Sequence, residues 1–192
     1  MNGENIEKLV RNWIVAKAGE VDVHSDFYCQ TRDIFQTRLD AMLRDLLSSG
    51  ETEENAYIVS AIAGEIGNNS FDHNIGNWRD IPGVFFAFKF SEAEKRIALA
   101  DRGQGIFATL KRVRPELDSD LEALKVAFTE KITGRAPENR GNGLKFVKEN
   151  IKQKKMHLVF SSGNARAKLN ENIEYIETDE KIDGCLAVLS IK

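Results

Sequence analysis

The sequence predicts a two-layer α/β sandwich of the α+β kind, a mixed sheet with helices packed against it. Apolar residues follow a helical period through the N-terminal part of the chain, and strand-like runs take over from Ile81 with helices inserted among them. The order of elements lacks the regular strand–helix–strand alternation of a doubly wound domain. At 192 residues, 42% apolar and 30% charged, the chain can bury one sizeable core, so one domain with an added element is expected.

Residues 4–18 read as a short amphipathic helix, with Ile6, Leu9, Val10, Trp13 and Ile14 on one stripe and Gly19 as its stop. Val21 and Val23 alternate with acidic residues, as in a short strand. Ser25 is expected to cap a long helix in which Phe27, Ile34, Phe35, Leu39, Met42, Leu43, Leu46 and Leu47 keep the helical period as far as Gly50. Thr52 caps the next helix, whose first turn carries Glu53 and Glu54 and which runs to about His73. Val84 to Phe90 and Arg96 to Ala100 read as two strands joined by the polar turn 91–95. Asp101 to Gly105 is a glycine turn, and Ser119 with Glu122 forms a capping box for a helix through about Phe128. A loop rich in Gly, Asn and Arg leads from Thr133 to Gly143 into a helix from Leu144 to about Gln153, and strands are expected at 156–161, 173–177 and 185–191. Pro82, Pro115 and Pro137 all fall between these periodic segments.

Composition excludes some classes. The net charge of −3 lacks the basic excess of a protein that grips nucleic-acid phosphates. Lys152, Lys154 and Lys155 read as a solvated helix end, where cations suit the helix dipole. No apolar run approaches the roughly 20 residues needed to cross a bilayer. Cys29 and Cys185, far apart and in no CxxC pair, fit two free thiols in a reducing cytosol, so a cytoplasmic protein is expected.

Three segments carry the chemistry. Glu65, Asn69 and His73 are spaced by four and four, one row on a helix, beside Gly64 and Gly67, which let another group approach closely. An Asn carbonyl oxygen suits Mg²⁺, and a Glu one turn earlier can polarise a water or hydroxyl. In Asp101-Arg102-Gly103-Gln104-Gly105-Ile106, a carboxylate at a strand end can accept from the exocyclic amine of adenine, and guanine offers an acceptor there instead. The same stretch, Gly103 to Ala108, also satisfies the loose dinucleotide pattern G-x-G-x-x-A. Gly141, Asn142, Gly143 and Leu144 open a helix whose first N–H groups favour an anion, with Lys131, Arg135 and Arg140 as candidate phosphate contacts.

Together these segments resemble the GHKL superfamily of gyrase B, heat-shock chaperone, histidine kinase and MutL ATPase domains. The N box E-x-x-x-N matches Glu65 and Asn69, with His73 four residues on; D-x-G-x-G matches Asp101, Gly103 and Gly105; G-x-G-L matches Gly141, Gly143 and Leu144. The match covers roughly residues 20–192, in the family's order, with a layout similar to bacterial anti-sigma serine kinases, and leaves 1–19 as an extra helix. The resemblance implies a Bergerat ATP-binding fold, a mixed sheet covered by helices on one face, with a lid over about 107–140. It implies ATP and Mg²⁺ as cofactors, Asn69 as the metal ligand, Glu65 as general base and Asp101 as the adenine partner. The implied activity is phosphoryl transfer to an unidentified partner protein, or slow ATP hydrolysis coupled to the lid. A non-catalytic, ATP-gated interaction module is the alternative. In that case the helix with Leu9 and Trp13 would serve as a docking or dimer face, unless it packs on its own domain.

Overall fold

Asn5, Thr31, Thr52 and Ser119 each start a helix by accepting a backbone N–H from the first turn, and this punctuation sets most of the helical architecture. The computed structural model describes residues 5–130 and 143–191. Its elements are α1 (Ile6–Val15), β1 (Tyr28–Cys29), α2 (Arg32–Ser48), α3 (Glu53–Asn74), β2 (Val84–Phe90), β3 (Lys95–Asp101), α4 (Gly105–Lys111), α5 (Asp120–Thr129), α6 (Gly143–Gln153), β4 (His157–Leu169) and β5 (Ile173–Ile191).

Two early expectations are corrected. The first strand is Tyr28–Cys29, not Val21 and Val23, and α2 starts at Arg32 under Thr31, not at Ser25. Ser25 instead closes a local turn by accepting the Phe27 N–H at 3.2 Å. Phe27 offers its carbonyl to Phe86 N–H at 2.7 Å, so an edge-strand bond overrides its helical spacing. Further on, the separate strands at 156–161, 173–177 and 185–191 are one long hairpin of β4 and β5, bulged around Ser162 and Gly163. Ala165, Ala167 and Leu169 are buried between outward-facing polar residues, a period of two hidden by small side chains.

The five strands run in the order β1-β2-β3-β5-β4 and every pairing is antiparallel, so the sheet is not mixed. An antiparallel chain of neighbours needs only turns and helical excursions, with no parallel crossover. Alternate residues of β2 and β3 feed two cores. Val84, Phe86, Ile97 and Leu99 face the main core, which α2, α3, α5 and α6 complete with Phe35, Met42, Ile62, Phe128 and Ile151. Phe85, Ala87, Ala98 and Ala100 face the other way and are covered by Ile6, Val10, Trp13 and Ile14 of α1. The main helical layer and the sheet therefore form a two-layer α+β sandwich. Helices lie on both faces, however, because β2 and β3 are apolar on both sides and each side must be kept from water.

Arg102 fastens α1. It is fully buried and donates to the carbonyls of Trp13 (3.0 Å), Ile14 (2.6 Å) and Ala16 (2.8 Å), which the end of a helix leaves without partners. Its Nε and Nη2 also bind the Asp80 carboxylate at 2.9 and 2.6 Å.

Candidate functional site

The face of α3 turned to the sheet decides where the candidate residues meet. Ile66, Ser70 and Asn74 form an inner, buried row at a spacing of four, and Glu65, Asn69 and His73 form the adjoining, more open row. The inner row meets the end of β3. Asp101 is buried there, and Ser70 Oγ donates to its Oδ2 at 2.7 Å. Asn74 Nδ2 and the Gly103 N–H donate to its Oδ1 at 3.2 and 2.9 Å, and the Cys185 N–H, opposite on β5, adds a further bond. Burial pushes the Asp101 carboxyl up from its ordinary value, and these donors, which favour the charged form, only partly offset it. Burial, then the neighbouring Asp101 carboxylate, holds the Cys185 thiol well above its usual range.

The glycines of this turn are demanded by the protein's own atoms. A Cβ on Gly103 would stand 2.0 Å from Asn74 Cγ, and one on Gly105, at φ +76°, would stand 2.9 Å from Ser162 Oγ. The same Ser162 hydroxyl accepts the Ile106 N–H at 2.9 Å, which anchors the start of α4 to β4. Gln104 reaches back to α3: its N–H donates to Asn74 Oδ1 at 3.1 Å and its Nε2 to the His73 carbonyl at 2.5 Å. His73 is thus brought to the turn through its backbone.

The outer row meets the start of α6. A Cβ on Gly143 would lie 2.5 Å from Glu65 Oε2 and 3.3 Å from Asn69 Nδ2, so the helix begins in contact with both side chains, and a larger residue there would push the flexible end of Glu65 aside. Leu144 follows, half-buried against the main core. Lys131, Arg135, Arg140, Gly141 and Asn142 lie outside the described residues. The lid expected over 107–140 is, as far as residue 130, the packed helices α4 and α5, which bury Leu110, Leu117 and Ala123 in a satellite cluster against β4 and β5.

The structure therefore places these residues in two groups: Gly143 beside Glu65 and Asn69 on the outer row of α3, and Asp101, Gly103 and the His73 backbone at the glycine turn, whose Gly105 and Ile106 lie against Ser162 of β4. It adds Ser70, Asn74, Ser162 and Cys185, which the motif reading missed. Ser70 and Asn74 had a signal in the sequence: both continue the spacing of four from Ile66 as polar residues on an otherwise apolar face. Ser162 and Cys185 had none, because strand register alone puts Cys185 opposite Asp101 and Ser162 opposite Cys185.

Asp101 supplies the kind of acceptor that an exocyclic amine needs, but in this structure it is buried and already bonded by Ser70, Asn74, Gly103 and Cys185, so a base could reach it only by displacing one of these donors. Mg²⁺ fits less completely. Among the described residues no group of three or more His, Cys, Asp or Glu side chains is placed to hold a metal, so the Asn69 amide would need phosphate and water oxygens to complete the shell. An open groove of about 420 Å³ between α2, α3 and α6 has Glu65 on its edge but reaches neither Asn69 nor Asp101. Among the described residues no helix is long and apolar enough to cross a membrane. Neither a protein-family model nor a curated protein matches the chain.

Proposed function

We propose that this chain is an ATP- and Mg²⁺-binding regulatory domain of the GHKL type, built on a Bergerat-like sandwich. The supporting observation is the meeting on one helix of segments far apart in sequence. Gly143 abuts Glu65 and Asn69 on the outer row of α3, while Asp101 and Gly103 are tied to Ser70 and Asn74 on its inner row. Asp101 would accept the adenine amine, Asn69 would ligate Mg²⁺, and Glu65 would orient and deprotonate a water or a partner's hydroxyl. The metal would neutralise phosphate charge, so the chain's contribution is positioning, as in phosphoryl transfer generally. The antiparallel sheet argues against the dinucleotide interpretation of Gly103 to Ala108, which calls for a parallel βαβ unit.

Titration calorimetry with ATP and GTP, each with and without Mg²⁺, tests the proposal on the wild type and on Asp101→Asn. The wild type is expected to prefer ATP by about 10²-fold or more, since a buried carboxylate facing a base carbonyl is left unpaired. The variant is expected to lose most of that preference. An ATP preference that survives the substitution unchanged removes the adenine assignment.

A further inference from the structure

Asp101 and Arg102 are neighbours in sequence but face opposite layers. Backbone alternation at the end of β3 turns Asp101 toward α3, and Arg102 toward α1 on the other side of the sheet. Every guanidinium N–H of Arg102 is taken: Nη1 by the Trp13 and Ile14 carbonyls, Nη2 by the Ala16 carbonyl and Asp80, and Nε by Asp80. The Arg102 carbonyl also accepts the Arg79 N–H at 2.8 Å. Immediately after it the turn closes on the α3 side, with the Gly103 N–H on Asp101 Oδ1 at 2.9 Å and the Gln104 N–H on Asn74 Oδ1 at 3.1 Å. Moving the turn off α3 would draw the fully buried guanidinium from its seat, and a cation and three helix-end carbonyls would lose their partners.

We infer that α1 is a latch on this turn. While the end of α1 holds Arg102, the turn stays shut over Asp101. When that end lifts, Gly103 and Gln104 come away with Arg102 and the carboxylate opens to solvent. Two segments far apart in sequence thus open as one unit, through a partial opening in which α3 and the main core stay folded. A ligand that needs the Asp101 carboxylate binds only the open form, so its apparent affinity follows how often α1 lets go. The latch stands on the Arg102 contacts; its control of ATP rests on the nucleotide reading given above.

Amide hydrogen exchange on the full chain, followed residue by residue by NMR, tests the latch with two matched variants. Ile14→Val removes one methyl from the buried stripe of α1 and leaves every partner of Arg102 in place, and Ile62→Val removes one from α3 in the main core. In Ile14→Val the Gly103 and Gln104 amides are expected to exchange about three- to tenfold faster, by the same factor as the last turn of α1. In Ile62→Val they are expected to keep their wild-type rates. Turn amides that ignore Ile14→Val open without α1, and turn amides that speed up equally in both variants open only when the whole protein unfolds; either result overturns the inference. Calorimetry with ATP and Mg²⁺ separates the nucleotide reading. Affinity is expected to rise in Ile14→Val by the factor seen in exchange. Exchange as expected with no ATP binding to either protein leaves the latch standing and defeats the nucleotide reading, whereas ATP binding that is equal in both proteins despite faster opening defeats the control of access by α1.

Discussion

Gly103 shows how a motif residue can be needed for a reason its motif does not state. A Cβ there would fall 2.0 Å from the Asn74 amide carbon, so Gly103→Ala is expected to cost about 1–3 kcal/mol by overpacking. Urea unfolding should show the loss, and in an Asn74→Ala background the same substitution should cost much less, because its obstacle has gone. Equal costs in both backgrounds would mean that the two residues do not press on each other. Gly184 is a stricter case. At φ +96° its Cβ would lie 2.1 Å from the Asp101 carbonyl oxygen, which is backbone and yields less readily than a side chain. At this scale the outer row of Glu65, Asn69 and His73 was legible from spacing. The inner row was not fully legible, because which face of α3 meets β3 depends on the packing of the sheet.

Among the elements, α1 depends on one side chain. Arg102 joins the glycine turn to the end of α1 through three carbonyls, and to Asp80 through a two-pronged ion pair. Arg102→Met would leave Asp80 and those carbonyls without their donor, so a loss on the order of 3–5 kcal/mol is expected. Urea unfolding would measure it, with hydrogen exchange showing faster opening of the α1 amides. The same contact gives a pH dependence. The hydrogen bond from Arg102 is the main cause that lowers the Asp80 carboxyl below its ordinary value, with partial burial opposing it. A carboxyl lowered in the folded state stabilises the fold above the ordinary carboxylate range and loses that contribution as pH falls through its folded value. Acid titration of Trp13 fluorescence should therefore show α1 loosening below that range in the wild type, whereas Asp80→Asn should show a weaker acid-side change and lower stability at neutral pH. Identical acid profiles would separate Asp80 from the anchoring of α1. Helix starts at this scale were legible at Thr52 and Ser119, whose hydroxyls cap as expected. Arg102 could not be recognised as an anchor, because its partners lie far away in sequence.

At the scale of the molecule, the sheet is apolar on both faces and needs cover on both. The stripe of α1 faces its own sheet, with Trp13 against Tyr28 and Phe85 at ring distances of 6.1 and 5.7 Å. Removing residues 1–18 would expose Phe85, Ala87, Ala98, Ala100 and Leu186 as one apolar patch, and such patches drive association. Light scattering and dye binding should show the shortened protein to be aggregated or self-associated. A monodisperse, natively folded product would make α1 dispensable.

The sequence by itself determined the helix starts at Thr52 and Ser119, the β2–β3 pair, the glycine turn from Asp101 to Gly105 and the candidate row on α3, because each of these rests on short-range spacing and local hydrogen-bond chemistry. Only the tertiary structure decided that the sheet is wholly antiparallel, that α1 covers its second face, and that Ser70, Asn74 and Cys185 surround Asp101. Those outcomes depend on strand register and on which buried surfaces meet, and both are set by contacts between residues far apart in the chain.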